Sequence, residues 1–288
     1  MSETGATPPE PEEFLSGETG HVAGIRRTVS RTVGDALLDV RARTHARSLD
    51  RLAAAVPRRG VLGVSVYRPG SAHIEPAVRE LRRTRHDLRL RLGSTGEPLP
   101  GLADSTAAGA LSGGKFQNLN RLLQGAAEYD WLLVFDDDVG LPPHFLDRLL
   151  GLAEHFDLAL VQPAQTLMSH AAWRVARRRG GSLLRETRFV EIGPVTAFRR
   201  DAAETLTPFP DLRYGWGLDL HWAALAAERG WRLGIADALP VRHEHAPVAT
   251  AYGFAEPIAE AQRFLTGRPF VRASQAQETL ATHRKVTP

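Results

Sequence analysis

Apolar and polar positions alternate along this chain in two rhythms. Residues 24–56 carry Ile25, Val29, Val33, Leu37, Leu38, Val40, Leu49 and Leu52 at helical spacing among many arginines. That pattern predicts one or two amphipathic helices ending before Pro57, with a face for packing, for a homodimer or for another partner. From Val61 the rhythm changes. Val61–Tyr67 reads as a strand closed by Arg68-Pro69-Gly70, and 74–85 as a helix. Asp87–Leu92 alternates and runs into Gly93-Ser94-Thr95-Gly96; a Pro- and Gly-containing loop reaches Gly114, and a helix follows over 115–127. Trp131–Phe135 is a strand, Pro142-Pro143 opens a helix to about 154, and Leu158–Val161 is the next strand. Val190–Phe198 reads as strand, 219–229 as helix, Trp231–Ile235 as strand and 256–265 as helix. Strands alternating with helices predict an α/β fold with a mainly parallel central sheet covered on both sides.

Composition narrows the classes. The chain has 288 residues, 43% of them hydrophobic, enough for a substantial core. With 36 Lys and Arg against 33 Asp and Glu, the formal charge of +3 gives no reason to expect a nucleic-acid partner. Having no cysteine, the chain lacks disulfides, thiolate metal sites and thiol chemistry. No run approaches the roughly 18 apolar residues of a membrane span. The acidic N-terminus lacks an apolar leader core, so a cytoplasmic location is the default expectation.

Chemistry concentrates in three places. Asp136-Asp137-Asp138 follows directly on Trp131–Phe135, where a buried strand leaves the sheet. Three adjacent carboxylates there need a cation, and Mn²⁺ or Mg²⁺ together with a substrate phosphate is the usual partner. In extended backbone Asp136 and Asp138 share a face and Asp137 points elsewhere. The second place is Tyr214-Gly215-Trp216-Gly217-Leu218-Asp219-Leu220. Trp216 offers a flat apolar platform for a sugar or a base. Asp219, at a helix start, is either a cap or a base for an acceptor hydroxyl. The third is Val241-Arg242-His243-Glu244-His245, where either imidazole can reach a metal. Two His with Glu244 also suggest zinc, but the spacing does not match a helical His-Glu-x-x-His site.

Weaker candidates lie between. Lys115, Gln117 and Asn118 follow Gly113-Gly114 at a helix start suited to an anion, without a complete P-loop. Gln162 ends a strand, a common binding position in open sheets. Arg174, Arg177, Arg178 and Arg179 form either a solvated face or a site for a phosphorylated acceptor. Glu191-Ile192-Gly193-Pro194 is either a turn or an acceptor wall.

The order of these elements resembles the GT-A nucleotide-sugar glycosyltransferases. Asp136–Asp138 resembles their Asp-x-Asp, Tyr214–Leu220 their Trp-Gly…Asp segment, and His243 the late histidine completing their metal site. Tyr129–Gln165, Gly215–Leu220 and Gly234–Asp237 with a following His are also similar to a GT-A-like family well populated in plants and labelled a domain of unknown function. The likeness spans roughly 61–246. Many inverting members carry Glu-Asp before the acceptor-side helix; here Trp216-Gly217-Leu218 stands there, leaving Asp219 as the sole acidic residue. The resemblance implies an α/β GT-A (Rossmann-like) fold with a mixed, mostly parallel central sheet, metal held by Asp136, Asp138 and His243, and a nucleotide-diphosphate sugar contacted by Ser65, Tyr67, Arg68, Ser94, Thr95, Lys115, Asn118 and Asp137. It further implies an acceptor near Gln162, Glu191, Gly193 and Trp216, and Asp219 as base of an inverting transfer. Non-catalytic scaffolding and nucleotidyl transfer are the alternatives. The division expected is a disordered tail (1–20), a helical extension (21–58), a catalytic domain (59–250) and a C-terminal helix and tail (251–288).

Overall fold

A computed structural model describes residues 7–17, 25–243 and 253–286. The helices are α1 (Pro11–Phe14), α2 (Ile25–Arg43), α3 (Ala46–Ala55), α4 (Ile74–Leu81), α5 (Lys115–Asn120), α6 (Phe145–His155), α7 (Arg200–Leu206), α8 (Leu218–Arg229), α9 (Ala255–Leu265) and α10 (Ala273–Ala276). The strands are β1 (Gly60–Tyr67), β2 (Asp87–Ser94), β3 (Thr106–Ala108), β4 (Trp131–Phe135), β5 (Val139–Gly140), β6 (Leu158–Gln165), β7 (Leu184–Thr187), β8 (Val195–Arg199), β9 (Arg232–His243) and β10 (Thr279–His283). They form one sheet in the order β10-β7-β9-β6-β8-β4-β1-β2-β3, with β5 paired to β9. Along that path only β7 and β8 run against the rest, so the sheet is mixed and mostly parallel, as expected.

Strand alternation splits the apolar residues between two layers. Leu62, Val64, Leu132, Val134 and Phe198 face a core closed by α5, α7, α8 and α9. Val61, Tyr67, Leu133, Phe135 and Ala197 face a second core closed by α3, α4 and α6. β1, β4, β6 and β9 are parallel and end at one edge. β8, being reversed, begins there, so residues 191–194 meet the ends of the parallel strands at that edge.

Several expectations need correction. α5 stops at Asn120 rather than 127, because the chain turns through Gly125 at φ 70 and buries Leu122 and Leu123. Residues 190–194 are not strand: Pro194 has no N–H to donate, and the Glu191 N–H is taken by Gln162 Oε1. β7 was not anticipated. β9 does not end near Ile235 but continues to His243, with a register break against β6 between Pro163 and Gln165. Residues 7–17, expected within a disordered tail, include α1, and Phe14 is buried against the first core because it is a large apolar side chain with a matching surface. On α2 the stripe Val29, Val33, Leu37 and Val40 is exposed. The helix docks by its polar edge instead: Asp35 accepts the Leu167 and Met168 N–H groups and pairs with Arg178. Among the described residues no helix is long and apolar enough to cross a membrane.

Candidate functional site

β4 delivers Asp136 and Asp138 to the sheet edge, and register delivers the histidine. β5 follows the triplet and pairs antiparallel with the end of β9, setting Val139 opposite His243. His243 Nε2 lies 3.2 Å from Asp138 Oδ1, and the His243 N–H donates to Ser169 Oγ at 3.0 Å. One ligand atom from each of Asp136, Asp138 and His243 lies within 4.8 Å of the others. Asp136 pairs with Lys115 Nζ at 2.5 Å, and its N–H donates to the Pro194 carbonyl. Burial, and then the charge of Asp138, push the Asp136 carboxyl above its ordinary value against the pull of Lys115 and His243. Burial alone would lower the His243 imidazole, but its hydrogen bond to Asp138 and the charges of Asp138, Asp136 and Glu191 raise it. Asp137 turns off that pair, as the alternation requires, but stays on the wall of the same cleft. It accepts the Arg68 backbone N–H at 2.9 Å and the guanidinium at 3.2 Å, fastening the loop after β1.

A cleft of about 600 Å³ opens beside these carboxylates, lined in part by Arg68, Thr95, Lys115, Asn118, Arg213 and Tyr214. Asn118 Oδ1 is buried there without a partner among the described residues. Three residues expected in it lie elsewhere. Ser65 is wholly buried. Tyr67 is in the second core, with its hydroxyl bonded to Thr106. The Ser94 hydroxyl is turned onto the Glu97 carbonyl. Parity is the reason: Val66, not its two neighbours, faces the cleft. Arg213 and Tyr214 escaped sequence reading as lining residues because a distant carboxylate sets them: Glu260 on α9 accepts the N–H groups of Arg213, Tyr214 and Gly215 at 2.7–2.9 Å.

A second cavity, of about 370 Å³, adjoins the 191–193 segment and takes in Glu191, Trp216 and Asp219. Gly193 abuts the cleft: a Cβ there would stand 2.9 Å from Asp136 Oδ2 and 3.3 Å from Lys115 Nζ. Lys115 Nζ also donates to the Ile192 carbonyl at 3.4 Å. Gly217, at φ 83, is the residue before α8, so Asp219 sits inside the first turn rather than at the cap. Its Oδ1 accepts the Leu220 N–H at 3.0 Å, and it also engages the Ile192 amide. Burial pushes the Asp219 carboxyl to about 7. Burial and then the Asp219 charge push Glu191 to about 8. Gln165 Nε2 donates to Glu191 at 2.7 Å, a contact the sequence did not disclose. Gln162 is buried behind Glu191 rather than lining the cavity.

Of the four clustered arginines, Arg177 and Arg178 have their side chains tied into the fold, whereas Arg174 and Arg179 are exposed. Arg178 is buried on Asp35 and Asp39, Arg177 donates to three carbonyls, and the Arg179 N–H donates to Asp237. Glu244 and His245 lie outside the described residues.

No family model and no curated protein matches the sequence. Solved structures do. GalNAc-T7, crystallised with UDP, GalNAc and Mn²⁺, matches at TM-score 0.51 and 10% identity over 92% of this chain and 61% of its own. A mycobacterial protein matches at TM-score 0.49 and 14% identity, covering 77% of this chain and 79% of that one. The mannosyltransferase PcManGT from Pyrobaculum calidifontis, in complex with GDP-Man and Mn²⁺, matches at 0.46 and 15%, covering 74% and 66%. The chain thus spans under two thirds of the PcManGT and GalNAc-T7 chains. At these identities the likeness is one of fold, and the fold is the GT-A α/β class.

Proposed function

We propose that this chain is a metal-dependent glycosyltransferase that moves a sugar from a nucleotide-diphosphate donor to an acceptor hydroxyl with inversion. The observation that carries the proposal is the convergence of Asp136, Asp138 and His243 at the edge where the parallel strands end, beside a cleft of about 600 Å³. Two carboxylates and one imidazole suit Mn²⁺ or Mg²⁺, and ligand atoms within 4.8 Å of one another need only a small closure around an ion with bonds of roughly 2.1 Å. Such an ion, when bound, supplies charge neutralisation for a departing diphosphate.

The chain's own residues do the rest. Lys115, already at the acidic pair, brings a second positive charge into the cleft. Arg68 and Thr95 border the nucleotide, and Asn118 offers it a buried acceptor atom. Asp219, on the other side of the 191–193 segment, takes the proton of the attacking hydroxyl. Its value of about 7 lies near working pH, where a general base is most effective. Glu191, holding its proton to about 8, stays neutral beside it. The UDP, GalNAc and Mn²⁺ crystallised with GalNAc-T7, which shares the fold, are consistent with this chemistry.

Thermal-shift titration with Mn²⁺ and a panel of sugar nucleotides tests the proposal. One nucleotide is expected to raise Tm only when Mn²⁺ is present, and Asp138→Asn to abolish that rise while remaining folded. Silence across the panel, or an unchanged response in Asp138→Asn, overturns it.

A further inference from the structure

The cavity beside Asp219 differs in kind from the cleft. Its wall combines Phe14, Leu15, Trp173, Ile192, Trp216 and Phe254, and among the described residues its polar side chains, apart from Ser16 and the indole N–H groups, are Glu191 and Asp219. The wall is built rather than incidental. Trp173 leans on Phe189 with ring centres 4.7 Å apart, and Trp216 meets Phe254 edge-on at 5.7 Å. The Phe14–Leu15 segment is fastened by Glu13 to Arg272 at 3.1 Å and by Gln262 Nε2 to the Pro9 carbonyl at 3.1 Å.

A saccharide here would leave hydroxyls without partners, since each buried hydroxyl must be hydrogen-bonded and this wall offers few donors or acceptors. Flat apolar rings, by contrast, match the Trp and Phe surfaces. The volume of about 370 Å³ falls in the range of pockets that enclose small molecules. Both carboxyls border Ile192, so a single hydroxyl directed at that wall would find its partners there.

We propose that the acceptor is a hydroxyl carried on an apolar ring system, not a saccharide, and that Phe14, Leu15, Trp173 and Trp216 recognise the ring. The proposal rests on the transferase reading for the word acceptor, but the ligand chemistry can be tested without it. The full chain, free of metal and nucleotide, is titrated calorimetrically with 2-naphthol and separately with methyl β-glucoside. Naphthol is expected to bind at least tenfold more tightly than the glucoside. Trp216→Ala and Leu15→Glu are each expected to weaken naphthol at least tenfold with an unchanged circular dichroism spectrum. Leu15 is only partly buried, so that variant decides the matter if Trp216→Ala does not fold. Equal or tighter glucoside binding, or naphthol affinity indifferent to the folded variants, overturns the proposal. With Mn²⁺ and the sugar-nucleotide panel added, transfer to the glucoside and not to naphthol overturns the acceptor chemistry while upholding the transferase. Naphthol bound but never glycosylated upholds the ring site and counts against the transferase.

Discussion

Asp219 and Glu191 are carboxyls that keep their protons in the folded chain to about 7 and 8, against ordinary values of 3.8 and 4.5. The folded state therefore binds more protons than the unfolded state between about pH 4 and 8. Stability contributed by the two groups is complete below pH 4 and falls as pH rises through 7 and 8. Asp219→Asn removes part of that slope, so the variant is expected to gain Tm over wild type as pH is raised from 4 to 8, read by scanning calorimetry. In transfer assays the same variant should bind donor normally and lose about 10²–10⁴-fold in kcat. Wild-type kcat should rise with pH and level off above about 7, as the base loses its proton. A variant with unchanged kcat, or a wild-type profile that falls through neutrality, removes Asp219 from the chemistry. The sequence placed Asp219 at a helix start but left cap and base undecided. The structure puts Gly217 at the position before the helix and turns Asp219 inward to the Ile192 amide, so Asp219 is not the cap, and its role as base is the proposal that these measurements test.

At the scale of elements, the site depends on how strands end. β4 leaves the sheet at Asp136, β9 overruns its expected end by eight residues from Ile235 to His243, and β5 locks that end in place. The strand and its triplet were legible in Trp131–Asp138, since five apolar residues before three acids admit few other readings. The continuation of β9 was not, because Pro240 reads as a stop, and only the register break against β6 accommodates it. Helix packing sets the other face. Gly151 on α6 lies against α3, and a Cβ there would stand 2.7 Å from the Ala53 N. Gly151→Ala gains helix propensity of up to about 1 kcal/mol but must push two backbones apart, which costs roughly 1–3 kcal/mol. A net loss of up to about 2 kcal/mol is expected in urea denaturation; a gain in stability would show that α3 yields without cost.

For the molecule as a whole, the segment 163–189 reads as polar and without pattern, yet it is held by one fully buried pair. Arg185 on β7 places Nε 2.7 Å and Nη2 2.9 Å from the Asp237 carboxylate on β9, and Nη1 and Nη2 also donate to the Val175 and Arg177 carbonyls. Both side chains are closed to solvent. Arg185→Met leaves a buried carboxylate without its counter-charge and is expected to cost about 3–5 kcal/mol in equilibrium denaturation, whereas Arg185→Met with Asp237→Leu should recover only part of it, because the Val175 and Arg177 carbonyls and the Arg179 N–H lose their partners. A single variant as stable as wild type would show the pair to be dispensable. By itself the sequence determined the alternating α/β architecture, the two-layered core and the acidic strand end, because hydrophobic periodicity and the cost of adjacent charges are local properties. Tertiary structure alone decided which cleft residues face inward, that the Phe14 segment closes a cavity, that Lys115 reaches Asp136 and that Arg185 is spent on Asp237. Those outcomes depend on strand parity, register and contacts between positions far apart in the chain, and no local pattern encodes them.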